Sequence, residues 1–204
     1  MIKLLRPILD RAYFYELYHQ IIGANYRSRI LVSEYIRPRA SDRVLDVGCG
    51  PGNMLPFLPK CQYMGVDVNP EYIATARRRY GKRGDFVCER VNHDSISEFG
   101  AFDIVLALGL THHLDDDEAR NLFCLGHAAL KPGGRLITND GCYTTGQSRL
   151  ERYLLSSDRG RFVRTQEAYL TLAHTSFFCV VPHLRSDVLR IPYTHLIMEC
   201  VRQA

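Results

Sequence analysis

The chain has 204 residues, 46% of them hydrophobic, with 26 basic and 22 acidic side chains and a formal net charge of +4 when histidines are neutral. That length suits one globular domain with a substantial core and leaves no room for two full ones. The mild positive charge excludes the basic stripe of a dedicated nucleic-acid binder, and no apolar run approaches the length of a membrane span. Seven cysteines form an odd set with no C-x-x-C pair and no secretory leader, which points to a reducing, cytoplasmic setting. The first 40 residues read as amphipathic helices broken near Pro7, placed as a lid, with Tyr13, Tyr15, Tyr18 and Tyr26 among them.

From residue 43 short apolar runs alternate with longer mixed segments, the rhythm of βα units that build a parallel sheet. Strands are expected at "RVLDVG", "QYMGVDV", "DFVCERV", "FDIVLALG" and "GRLITND". The segment "PEYIATARRRYG" starts with Pro70 and Glu71 and closes with Arg77, Arg78, Arg79 and Gly81, which is helix start and stop chemistry. The run Asp115, Asp116, Asp117 precedes another helix and reads as its capped start rather than a metal site. Beyond residue 141 two further helices, "SRLERYLL" and "TQEAYLTLA", lead to "FFCVVPHL" and "THLIMECV", two strands close enough to pair as a hairpin. One domain results: lid helices over 1–40, a ligand-binding core over 41–140, and an insert with the terminal hairpin over 141–204.

"LDVGCGPGN" places Gly48, Gly50 and Gly52 directly behind the first strand, where a turn without side chains lets a ligand approach the backbone. The dinucleotide fingerprint G-x-G-x-x-G does not fit, because the third glycine comes one place early and Asn53 stands in its position. Asp67, 15 positions after Gly52, ends the second strand, where a carboxylate accepts hydrogen bonds from ribose hydroxyls. A nucleoside is implied, and a pyrophosphate is not.

"VLDVGCGPGN", "GVDVNPEYIATAR", "FDIVLALGLTHHL" and "LKPGGRLI" together resemble, in order and spacing, the motifs of class I S-adenosylmethionine-dependent methyltransferases over residues 44–140. The resemblance implies an α/β, Rossmann-like, doubly wound seven-stranded sheet whose final strand is reversed, with S-adenosyl-L-methionine as cofactor. It implies that Gly48, Gly50 and Gly52 line the methionine part, that Asp46 orients the amino group and that Asp67 holds the ribose, with Cys49, Asn53 and Val68 also among the cofactor-binding residues. Adenine falls to the turn "RVNHDSI", where Asn92, His93 and Asp94 are alternatives and Asn92 is preferred. Leu108 and Gly109 fall where backbone carbonyls meet the methionine amine, and Arg27 or Arg29 is placed to pair with its carboxylate.

Methyl transfer from a sulfonium needs alignment and, for a hydroxyl acceptor, removal of a proton. His112 and His113 follow the fourth strand and titrate near neutrality, with His113 slightly preferred; Asp140 at the end of the fifth strand is the third candidate base. Acceptor binding is expected from Tyr143, from Arg159 and Arg164 in the insert, and from Tyr193, with His195 a weaker candidate of the same kind. The acceptor is expected to be a small molecule, with an RNA methyltransferase or a non-catalytic cofactor-binding protein as alternatives. No metal ligand set, membrane contact or nucleic-acid module is read, and the chain is expected to be a monomer or homodimer.

Overall fold

The computed structural model describes residues 23–157 and 160–203. Its strands are β1 Arg43–Val47, β2 Gln62–Asp67, β3 Asp85–Cys88, β4 Phe102–Leu108, β5 Leu130–Tyr143, β6 Arg164–Thr165, β7 Cys179–Arg185 and β8 His195–Val201. The helices are α1 Ala24–Ile30, α2 Pro70–Tyr80, α3 His93–Phe99, α4 Asp116–Ala129, α5 Arg149–Ser156 and α6 Gln166–Ala173. Seven strands, the number the resemblance implied, lie in the order β3-β2-β1-β4-β5-β8-β7. The eighth, β6, was not expected; it is two residues long and pairs with Cys142 and Tyr143 at the end of β5.

β1 to β5 run parallel, while β8 enters between β5 and β7 antiparallel to both. The late hairpin is therefore present, with its second strand inside the sheet and its first at the edge. Apolar side chains cover both faces: Phe123, Tyr169, Leu172 and Phe177 pack on one, and Leu31, Tyr35, Ile36 and Ile73 on the other. Central strands buried on both sides explain why their sequences read as continuous apolar runs rather than alternating ones.

Local chemistry fixes the element ends. Asn69 caps α2, its side chain accepting from Glu71 N and Tyr72 N, with Pro70 in the first turn. Asp115 caps α4 and forms a reciprocal box with Glu118, so the acid run begins a helix. The crossover from β1 to β2 departs from the alternating pattern: it holds only a 3₁₀ turn, Leu55–Phe57, with Pro56 inside it. A proline there removes a backbone donor and disfavours a longer helix.

Of the expected lid, α1 continues into a π-helical segment, Leu31–Ile36, ending at Arg37 with φ 44°. Tyr13, Tyr15 and Tyr18 lie outside the described residues, and Tyr26 is exposed. Arg135 donates to the carbonyls of Tyr35 and Ile36 and to Glu199, and Arg37 also pairs with Glu199. The orphan carbonyls at the helix end are thereby satisfied and the segment is tied to β5 and β8.

Candidate active site

Chain winding reverses between β1 and β4, and ligands of such sheets sit outside the carboxyl ends of the strands at that point. A cavity of about 880 Å³ opens there, toward the upper end of the roughly 300–1,000 Å³ usual for ligand sites. Of the residues nominated from sequence, its wall includes Gly48, Gly50, Asp67, Val68, Gly109, His112, His113 and Tyr193.

The glycine turn is stapled to β2. Gly48 N and Cys49 N donate to Val66 O at 2.8 and 3.1 Å, and Gly50 N donates to Asp67 Oδ2 at 2.9 Å. Asp67 Oδ1 accepts from Asn69 N at 2.8 Å, so one carboxylate shapes two turns. Each oxygen keeps a further lone pair for a ligand hydroxyl. A Cβ at Gly50, whose φ is 54°, would meet nothing within 4 Å, so this backbone is open to a ligand. Gly52 works differently: its Cβ would come within 3.0 Å of the Tyr80 ring and 3.3 Å of Phe86, so it serves close packing against α2 and β3.

Other nominated residues sit away from the wall. Asp46 lies on β1 in the core, accepting from Tyr63 Oη at 2.7 Å. Burial pushes its carboxyl from 3.8 up to about 7, the Tyr63 hydrogen bond opposing the rise and the Asp67 charge adding to it. Because the folded pKa exceeds the unfolded one, the stability Asp46 contributes is complete below the unfolded value and is lost as pH rises toward 7. Asp46→Asn should therefore gain on the wild type in thermal midpoint between pH 5 and pH 8, and parallel profiles would refute this. Cys49 is buried with its thiol pKa raised by desolvation, Asn53 is exposed, and Leu108 pairs with Asn139 in the sheet. Asn92 caps α3, accepting from Ser95 N at 3.0 Å.

Glu89 stands on the wall where no candidate had been nominated. It follows β3, its backbone N donates to Asp67 O, and its Oε1 is buried with no hydrogen-bond partner among the described residues. An orphaned carboxylate oxygen beside Asp67 suits a ligand rich in hydroxyl or amino donors. Reading 85–91 as one strand concealed it, since the strand ends at Cys88. Of the two N-terminal arginines, Arg27 is on the wall, whereas Arg29 stacks over Phe57 at 5.9 Å.

His112 and Asp140 meet. Asp140 Oδ1 accepts from His112 N at 3.2 Å and lies 2.8 Å from His112 Nδ1, and both side chains are buried. A carboxylate oxygen only accepts, so Nδ1–H is the donor of this pair, and in the neutral ring Nε2 is then the accepting nitrogen. His113 is exposed, its ring 4.3 Å from that of His112. The geometry thus favours His112 as the carboxylate-oriented ring.

Gly160 lies against His112: a Cβ there would fall 1.9 Å from His112 Cδ2 and 2.8 Å from its carbonyl oxygen. Phe162 N donates to that same oxygen at 2.9 Å. Gly160→Ala should cost about 1–3 kcal/mol as overpacking, visible as a thermal midpoint lower by roughly 2–4 °C per kcal/mol. An unchanged midpoint would show that the segment moves aside freely.

Arg164 is committed elsewhere: it donates to Asp116 Oδ1 and to the carbonyls of Thr111, Leu114 and Phe162. It clamps the insert to the turn carrying the histidines. Tyr143 lies under Arg152 at 5.5 Å, and Arg159 is outside the described residues.

Comparison with known proteins agrees with this geometry. Residues 44–134 match a family described as "Methyltransferase domain". The "Ubiquinone biosynthesis O-methyltransferase" of Xanthomonas axonopodis pv. citri (strain 306) is 32% identical over 112 residues, covering 51% of this chain and 46% of that protein. The "Demethylmenaquinone methyltransferase" of Thermus thermophilus is 30% identical over 133 residues, covering 60% and 59%. The chain spans about half the length of these curated relatives. Among solved structures, the pyocyanin biosynthetic protein PhzM superposes with a TM-score of 0.72 at 16% identity, over 98% of this chain and 61% of that one. Magnesium protoporphyrin IX methyltransferase from Synechocystis PCC 6803, with bound SAH, gives 0.63 at 20%, over 86% and 80%. The match over residues 44–134 gives the chain a methyltransferase domain there, and the strand order with its glycine turn faced by Asp67 makes the fold similar to that of the class I S-adenosylmethionine-dependent methyltransferases.

Proposed function

We propose that the protein transfers a methyl group from S-adenosylmethionine to a hydroxyl of a small molecule, within a single catalytic domain and without a metal. The observation that carries this reading is the buried His112–Asp140 pair, whose His112 stands on the wall of the cavity that the glycine turn and Asp67 also form. When bound, the cofactor supplies an electrophilic methyl group on a sulfonium. Asp67 and Glu89 would receive its donor groups, Gly50 lets it lie close to the backbone, and Arg27 would meet its carboxylate. The acids suit a cation, and the β1–β2 crossover lacks the α-helix N-terminus on which a dinucleotide pyrophosphate rests.

Asp140 orients the His112 ring through Nδ1, and in the neutral ring Nε2 is the nitrogen that would take the hydroxyl proton as the acceptor is aligned. Alignment in a confined site supplies up to about 7–11 kcal/mol in favourable cases, so the base is an addition to geometry rather than its substitute. The names of the quinone-pathway relatives agree with a small-molecule acceptor. The test is incubation of the protein with methyl-labelled S-adenosylmethionine and a cell extract, followed by fractionation by size. Label in small molecules is the expected result; label in RNA alone refutes the acceptor class, and no label despite cofactor binding refutes turnover.

A further inference from the structure

His195 opens β8 and is buried at 3% exposure, yet it stands on the cavity wall, and its Nδ1 has no hydrogen-bond partner among the described residues. Desolvation first, then the Arg27 charge and a smaller contribution from His112, lower its pKa to about 3 against a hydrogen bond with the Tyr193 backbone, so the ring is neutral throughout the physiological range. Asn139 presents a second such atom: its Oδ1 is buried on the same wall and equally unpartnered. The register pairs Gly141 with His195, and Asn139 lies two residues before Gly141, so both side chains share one face of the sheet. Leu154, Leu189 and Ile191 supply an apolar border on this side, and Arg164 is saturated by oxygens of its own neighbourhood.

A buried polar atom without a partner is destabilising, and a ligand recovers that loss by bonding to it. A hydroxyl both donates and accepts, and so it satisfies either tautomer of His195. Toward Asn139 Oδ1, which only accepts, it donates. A carboxylate offers that oxygen no donor and would leave it unsatisfied.

We infer that His195 is a specificity-determining residue which hydrogen-bonds a hydroxyl of the acceptor, and that the acceptor is an uncharged, hydroxyl-bearing molecule with an apolar body. This deepens the function proposed above and rests on it, with Arg27 reserved for the cofactor.

The test is calorimetry on the full chain saturated with S-adenosylhomocysteine, comparing 4-methylcatechol with 3,4-dihydroxyphenylacetate at neutral pH. These probes share a neutral diol and differ in the carboxylate. The neutral diol should bind at least about tenfold more tightly, and His195→Phe should weaken it by about tenfold while His195→Asn retains most of the affinity. Equal or tighter binding of the carboxylate, binding of neither probe to the loaded protein, or an unchanged His195→Phe overturns the inference. Failure to bind S-adenosylhomocysteine instead refutes the underlying reading. Should the variants not fold, ring ¹⁵N spectra of the wild type decide: the His195 Nδ1 resonance should move when 4-methylcatechol is added, and a static resonance refutes the contact.

Discussion

His112→Ala is expected to slow methyl transfer by about 10²–10⁴-fold, the usual contribution of a positioned general base, while affinity for S-adenosylhomocysteine stays within a few-fold of wild type. The binding readout separates loss of a proton acceptor from loss of the fold. Asp140→Asn should approach the same deficit, because an amide facing Nδ1 no longer dictates which ring nitrogen carries the proton. His113→Ala should do less, since that ring is exposed and Asp140 Oδ1 is bonded to His112. Wild-type turnover of His112→Ala with normal cofactor binding would remove the base role from this ring. The same result in Asp140→Asn would reduce the pair to packing.

Asp67→Asn is the second large effect, expected to weaken S-adenosylhomocysteine binding by about 1.5–3 kcal/mol, roughly 10- to 150-fold. The change is isosteric but not conservative. Both oxygens of Asp67 accept backbone N–H groups, from Gly50 and from Asn69, so the amide nitrogen of asparagine must face one donor with another. The glycine turn is loosened at the same time as the ribose partner is lost. Asp67→Ala should be at least as damaging. A folded Asp67→Asn that binds with wild-type affinity would show that the ligand does not rest on this carboxylate.

Much of the sheet was legible because its strands are buried on both faces, which leaves apolar runs such as "FDIVLALG" bounded by turn residues. The hairpin was legible from the short span between its strands. α3 was not: Asn92 and Ser95, read as turn residues, form a capping box that starts a helix one residue later. The site divides in the same way. Gly50 and Asp67 announce themselves because a bare turn and a strand-end acid have few other uses together. Glu89 was hidden by a strand assigned three residues too long. Arg164 stands out as a charge in an insert, yet three carbonyls and Asp116 claim it, and all of these except the Phe162 carbonyl come from residues far away in sequence. The meeting of His112 with Asp140, 28 residues apart, depends on β4 and β5 lying side by side.

The position of β8 bears on how the molecule is made. Residues 195–201 form an interior strand between β5 and β7, so the sheet cannot be completed during synthesis until that strand has emerged. Until then the flank of β5 offers a row of unsatisfied backbone groups to any passing strand. Since His195 is the first residue of that strand, the part of the cavity wall it supplies takes shape only when the strand docks, and a nascent chain stalled before it would be vulnerable to aggregation.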